Sequence, residues 1–239
     1  IIGLPDQGAP EQDPAALEAG IGDLVRTWGD ALRAALAEAQ GGDRARILSA
    51  RYGDAFSAAY RDNFQPEIAV ADVAILEGLG GAQSRAVHLG RRQSDSEAQV
   101  RLKVFSRGTA IALSDRVPAL ENLGFRVINE RTYRVMPAGA DEADRVWLHD
   151  MLIERATGAA IDLAALEQPL EAAMLAIADD LAESDGYNRL VLEAALPWRE
   201  AALLRALGRY LRQLRIRYGQ DYLAGTLSRH AGIARSIVA

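Results

Sequence analysis

The chain has 239 residues, 49% of them hydrophobic and 25% charged, with a net charge of −6. That composition supports a sizeable buried core in one large or two ordinary domains, and it excludes a disordered chain. The acidic balance argues against a nucleic-acid binder held by bulk charge, and the absence of cysteine excludes disulfides, thiolate catalysis and Cys-ligated metals.

No run approaches the ~18 apolar residues that span a bilayer, and no charged-then-apolar leader opens the sequence. A cytoplasmic protein without membrane or nucleic-acid partners is expected. The first residue is Ile1, which reads as an excised piece of a longer polypeptide.

Residues 1–13 read as a linker or frayed end. From Pro14 the pattern turns helical, with Leu17, Ile21, Leu24, Val25, Trp28, Leu32 and Leu36 on one face, until Gly41-Gly42 ends it. A second helix from Asp43 buries Ile47, Leu48, Tyr52, Phe56 and Tyr60, and a third runs from Pro66 to Leu79. The period then changes. Ala86–Arg92 and Gln99–Ser106 alternate as strands joined through Ser94–Glu97, with Arg101 and the single lysine, Lys103, on the polar face. Ser114 or Asp115 caps a helix with Pro118 in its first turn, and Gly124 stops it. Phe125–Met136 and Arg145–Glu154 are two more strands, the first broken in its alternation as by a bulge.

The middle therefore reads α-β-β-α-β-β. Moving the first strand of a ferredoxin-like β-α-β-β-α-β unit to its end produces that order, because its first and last strands are antiparallel neighbours that a hairpin can join. The predicted class is α+β: a permuted ferredoxin-like antiparallel sheet with two helices on one face, flanked by helical segments. Residues 1–64 form the first segment, 65–156 the sheet domain and 157–239 the last segment. In that last segment one helix is entered at Pro169, with Leu170, Met174, Ile177 and Leu181 on its stripe. Two more helical pieces meet at Pro197, and a final amphipathic stretch runs from Tyr218 to Val238.

Chemistry-bearing motifs are sparse. Gly78-Leu79-Gly80-Gly81 lies where a helix ends and a strand begins, the reverse of a dinucleotide-binding turn. His88, His149 and His230 share no metal-ligand spacing, no Gly-x-Ser-x-Gly elbow is present, and one lysine stands against 26 arginines. No catalytic, cofactor or metal site is expected. Residues 162–185 are acidic without a base, whereas 199–217 carry six arginines and only Glu200. On a helical wheel Leu203, Leu207, Tyr210, Leu211 and Leu214 share a face, with Arg205, Arg209 and Arg212 opposite. That arginine face reads first as solvated and next as packed on the acidic segment; a nucleic-acid stripe is disfavoured because acidic neighbours repel phosphate.

Two blocks carry a resemblance. Asp185-Gly186-Tyr187-Asn188-Arg189-Leu190-Val191-Leu192 with Trp198-Arg199-Glu200, Leu204-Arg205-Ala206 and Tyr210–Gln213 forms one. Leu113-Ser114-Asp115 with Pro118–Val127 forms the other, and Ala58–Arg61 with Ala71-Asp72 adds a weaker third. Over residues 50–239 the chain resembles the large bacterial NAD-specific glutamate dehydrogenases, in an internal stretch upstream of the catalytic domain; Pro197 before Trp198 departs from the family pattern. The resemblance implies an ACT-like sheet, a regulatory and assembly role without a catalytic site, and NAD bound only elsewhere in the parent oxidoreductase. It also implies a homo-oligomer, contact with the catalytic domain of the same chain, and an amino-acid effector. Ser114, Asp115, Asn122 and Gly124 are then the effector or interface candidates, with helix capping as their plain reading. Asn188, Arg189, Trp198, Arg199, Arg205 and Arg212 are the inter-domain candidates. A purely structural subunit-interaction module without ligand is the alternative.

Overall fold

The computed structural model describes residues 27–81 and 83–239, and its contacts divide the chain between residues 74 and 75. The first unit holds α1 (Trp28–Gln40), α2 (Gly42–Tyr52), α3 (Ala58–Asn63) and most of α4 (Pro66–Gly78). Thr27 and Asp30 cap α1 reciprocally, so a helix starts at Trp28 and the periodicity read from Pro14 does not continue through it; the part before Thr27 lies outside the described residues. Gly41, at φ +78°, separates α1 from α2. An aromatic cluster organises this unit. Phe56 stacks on Tyr60 at 4.4 Å, Tyr60 on Phe64 at 4.6 Å, and Trp28 meets Phe56 edge-on while its indole N–H donates to the Phe64 carbonyl. The Tyr60 hydroxyl donates to buried Asp72, which accounts for the spacing between the Ala58–Arg61 and Ala71-Asp72 blocks. Ile47, expected inside, is exposed; Ala45, Leu48 and Tyr52 form the buried face of α2 instead.

The second unit is built on one antiparallel sheet of order β1-β2-β4-β3, comprising β1 (Arg85–Gly90), β2 (Gln99–Arg107), β3 (Phe125–Val135) and β4 (Val146–Arg155). That strand order is the one the permuted ferredoxin-like reading requires, but the element order is β-β-α-β-β-α rather than α-β-β-α-β-β, because the second covering helix follows the last strand and most of Pro66–Gly78 belongs to the first unit. Alternation sets the two faces. Leu89, Leu102 and Met151 align across the strands on one face, while Ala86, Phe105, Leu148 and Tyr133 align on the other, and both sets are buried. Lys103, assigned by alternation to a polar surface, is therefore buried opposite Asp150. The bulge in β3 falls between Val127 and Asn129, turning Ile128 out to solvent.

Two helices cover the Leu102 face, α5 (Leu113–Asn122) and α6 (Leu163–Ala178). The second follows the last strand and packs along β1. It begins at Leu163 rather than Pro169 because Asp162 caps the Ala165 N–H and Leu166 already joins the core. Ala112, not Ser114 or Asp115, is the N-cap of α5, which places Pro118 in the interior of that helix rather than its first turn. Past the sheet, a 3-10 turn at Gly186–Asn188 leads into α7 (Arg189–Ala194) and α8 (Trp198–Gln213), broken at left-handed Ala195 and Pro197. The final stretch is two helices, α9 (Gln220–Arg229) and α10 (Ala231–Val238), parted at His230. One contiguous core runs from Leu102 and Met151 through Leu170 and Leu190 to Leu204 and Ala234. No described helix is long and apolar enough to cross a membrane.

Candidate functional site

Between α5, α6 and the sheet lies a cleft of about 310 Å³. Its apolar lining includes Val87, Leu102, Val104 and Met151 from the strands and Leu120, Met174 and Ile177 from the helices. Four charged side chains join them: Arg85, Arg116, Asp115 and Asp180. Arg85 is held by the Ala178 carbonyl and Asp179. Arg116 donates through Nε to the Ile111 carbonyl at 3.0 Å and pairs with Glu130 at 2.6 Å. Asp115 and Asp180 are exposed and carry no ion pair among the described residues. An apolar slot with arginine and carboxylate at its margin suits a small zwitterion with an apolar side chain.

His149 lies buried beside this cleft, on the same sheet face. The Ile111 N–H donates to its Nε2 at 3.3 Å, and Thr132 Oγ1 sits 2.9 Å from Nδ1. With Nε2 accepting, the neutral ring carries its proton on Nδ1. Burial, and then the Arg116 guanidinium, pull its pKa down to about 4 against the smaller opposing pull of Glu130.

A second locus is the junction of the 3-10 turn with α8 and α9. Asp185 accepts the Tyr187 N–H and Asn188 accepts the Asp185 N–H, closing a capping box. Arg205 reaches into this box, binding Asp185 through Nε at 2.7 Å and through its terminal nitrogen at 2.9 Å. It also donates to Asn188 and the Glu183 carbonyl. Arg209 pairs with Glu183. The acidic segment thus meets two of the arginines, through Glu183 and Asp185. The hydroxyl end of Tyr187 abuts Gly208, and Gln220 bridges the Tyr187 hydroxyl and the Gly208 carbonyl.

The predicted residues separate accordingly. Ser114 and Asp115 are exposed near the cleft, and Asp115 lines it. Asn122 donates to Ser184, and Gly124, at φ +96°, closes on Arg189 and Leu192, so this corner is packed rather than open. Asn188 and Arg205 are engaged inside the junction, and Arg189 binds the Glu121 carbonyl at the end of α5. Trp198 is partly buried against the core, Arg199 stacks on it at 4.3 Å, and Arg212 remains exposed. Sequence reading missed the cleft and the Arg116–Glu130–His149 cluster; the latter joins residues from three separate elements that no local spacing connects.

His88, Glu167 and Glu171 bring one imidazole and two carboxylates within 4.8 Å of one another, the one such donor group among the described residues. The Glu171 oxygen facing His88 also accepts the outward Leu89 N–H at 2.8 Å, so the cluster serves to cover the open edge of β1. The Glu171 carboxylate holds the His88 pKa above its ordinary value. For a dinucleotide the residues do not fit: Gly80 and Gly81 follow the C-terminal end of α4, where carbonyls rather than N–H donors face the turn.

Family comparison matches three consecutive models, the glutamate dehydrogenase helical motif 2 at residues 35–79, ACT3 domain at 84–166 and helical motif 3 at 182–239. Among relatives, the NAD-specific glutamate dehydrogenase of Halomonas elongata is 40% identical over 228 residues, which is 95% of this chain and 14% of that protein. That of Pseudomonas aeruginosa is 37% identical over 95% of this chain and 14% of its own length, and that of Mycobacterium tuberculosis 30% over 100% and 15%. The chain spans about one-seventh of the length of these relatives. The four strands and α5 thus fall within the matched ACT3 domain and the Asp185–Arg205 junction within helical motif 3, with most of α6 between the two matches, and the chain belongs to the large NAD-specific glutamate dehydrogenase family.

Proposed function

We propose that this segment regulates and helps assemble a dehydrogenase that converts L-glutamate, water and NAD to 2-oxoglutarate, ammonia and NADH, while contributing no catalytic group itself. The observation that carries this reading is the shared core: side chains lining the cleft belong to the same buried cluster as Leu190, Leu204 and Ala234 of the helices beyond the sheet. A ligand that orders the cleft is then mechanically continuous with helical motif 3, and through it with the catalytic part of the same polypeptide. The cleft chemistry favours an amino acid with an apolar side chain, its carboxylate toward Arg85 or Arg116 and its ammonium toward Asp115 or Asp180.

Calorimetric titration of the full-length enzyme with a panel of amino acids tests this. Heat is expected with at least one of them, and Ala119→Leu, which fills the cleft, should remove it. No heat with any member would leave the scaffolding role alone. That second reading, a purely structural interaction module, is favoured by one specific feature, the outward apolar face of α8.

A further inference from the structure

The amphipathic helix α8 turns its apolar side outward. On α8 the buried positions are Ala201, Leu204, Arg205 and Gly208. The stripe expected in the core is exposed instead: Leu203 49%, Leu207 39%, Tyr210 56% and Leu214 57%. The inversion follows from the fit beneath, since only a position without a side chain admits the Tyr187 ring and only the small face lets Arg205 reach Asp185. A row of four large apolar side chains over three turns, left in water, is the pattern of a helix-binding face. Beside it lies a groove of about 360 Å³ lined by Leu181, Ala202, Ala206 and Tyr210 together with the Glu183–Arg209 pair.

Charge selects the partner. Arg205 and Arg209 are neutralised by Asp185 and Glu183, but the side chains of Arg212, Arg215 and Arg217 have no partner among the described residues. Arg212 lies on the opposite side of the helix, so three arginines, Arg199, Arg215 and Arg217, stand at the two ends of the row against Glu200 alone. A second copy of α8 laid on the first would set arginine against arginine. We propose that α8 docks an amphipathic helix whose apolar stripe is flanked by carboxylates and which lies elsewhere in the same polypeptide. The location of that partner rests on the reading of this chain as one segment of a larger dehydrogenase.

A photo-crosslinking residue at Leu207 of the full-length enzyme tests it, with the same residue at Ile128, exposed on the β3 bulge, as control. The expected product joins position 207 to an acidic peptide of helical periodicity in the same polypeptide, absent from the Ile128 control. Arg215→Glu with Arg217→Glu, both exposed and thus harmless to folding, should lower its yield about tenfold. No product at 207, an equal product at 128, or a basic peptide would overturn the proposal. So would capture of nucleic acid or of a second copy of α8. Capture of an acidic helix from a different protein would overturn the location while leaving amino-acid binding at the cleft to be judged by calorimetry.

Discussion

Tyr187 occupies the space that a side chain at position 208 would need: a Cβ there would stand 2.1 Å from its hydroxyl and 3.1 Å from Gln220 Oε1. Gly208→Ala gains ~1 kcal/mol of helix propensity but overpacks a buried ring, at a cost of about 1–3 kcal/mol or more. A net loss in urea midpoint is expected. Gly225→Ala, in α9 with only the end of the Arg229 side chain nearby, should raise the midpoint instead. His149 supplies a pH signature. Its folded pKa of about 4 lies below the unfolded ~6.5, so its contribution is complete above pH 6.5 and is lost as pH falls toward 4. By pH 5 that amounts to about 2 kcal/mol, and His149→Gln should flatten this part of the stability profile. His88, raised by Glu171, works in the opposite sense: its contribution is full below the unfolded pKa and fades as pH rises through the folded one. Equilibrium unfolding of the two single variants between pH 5 and 8 separates them.

At the level of elements, Arg205 and Arg212 look equivalent on a helical wheel and are not. Arg205 is 5% exposed and its removal takes the ion pair from Asp185 and one of the two donors from Asn188, so Arg205→Ala is expected to cost about 2–4 kcal/mol. Arg212→Ala, at the exposed end of α8, should stay within about 0.5 kcal/mol in denaturant titration. Sheet elements were readable from sequence because period-two alternation and β-branched residues fix their type, and even the Ile128 bulge showed as broken alternation in β3, but alternation put Lys103 on a polar surface although that face is buried as well. Helix facing was less readable. Periodicity assigns the apolar stripe to the core, whereas α8 is oriented by Tyr187 and Asp185, more than ten residues away in sequence. Proline likewise marked α6 as starting at residue 169, while Asp162 and the buried Leu166 set its true start. The cleft was illegible for the same reason: Asp115 could be named, but Arg85, Met174 and Asp180 meet it only through the sheet topology.

On the scale of the whole second unit, the sheet edges are poorly suited to strand-to-strand association. Glu171 covers the outward Leu89 N–H of β1, and β3 is bulged and carries exposed Arg126, Arg131 and Arg134. The outward face of α8 is then left for the acidic helix proposed above, and the proposed signalling for the core that joins the cleft to the helices after it. Hydrogen exchange on the full-length enzyme, with and without each amino acid of the calorimetric panel, tests that coupling most directly. The account predicts that the ligand which gives heat slows the amides of β2 and α5 together with those of α7 and α8. Slowing confined to the cleft, with α7 and α8 unchanged, would contradict it.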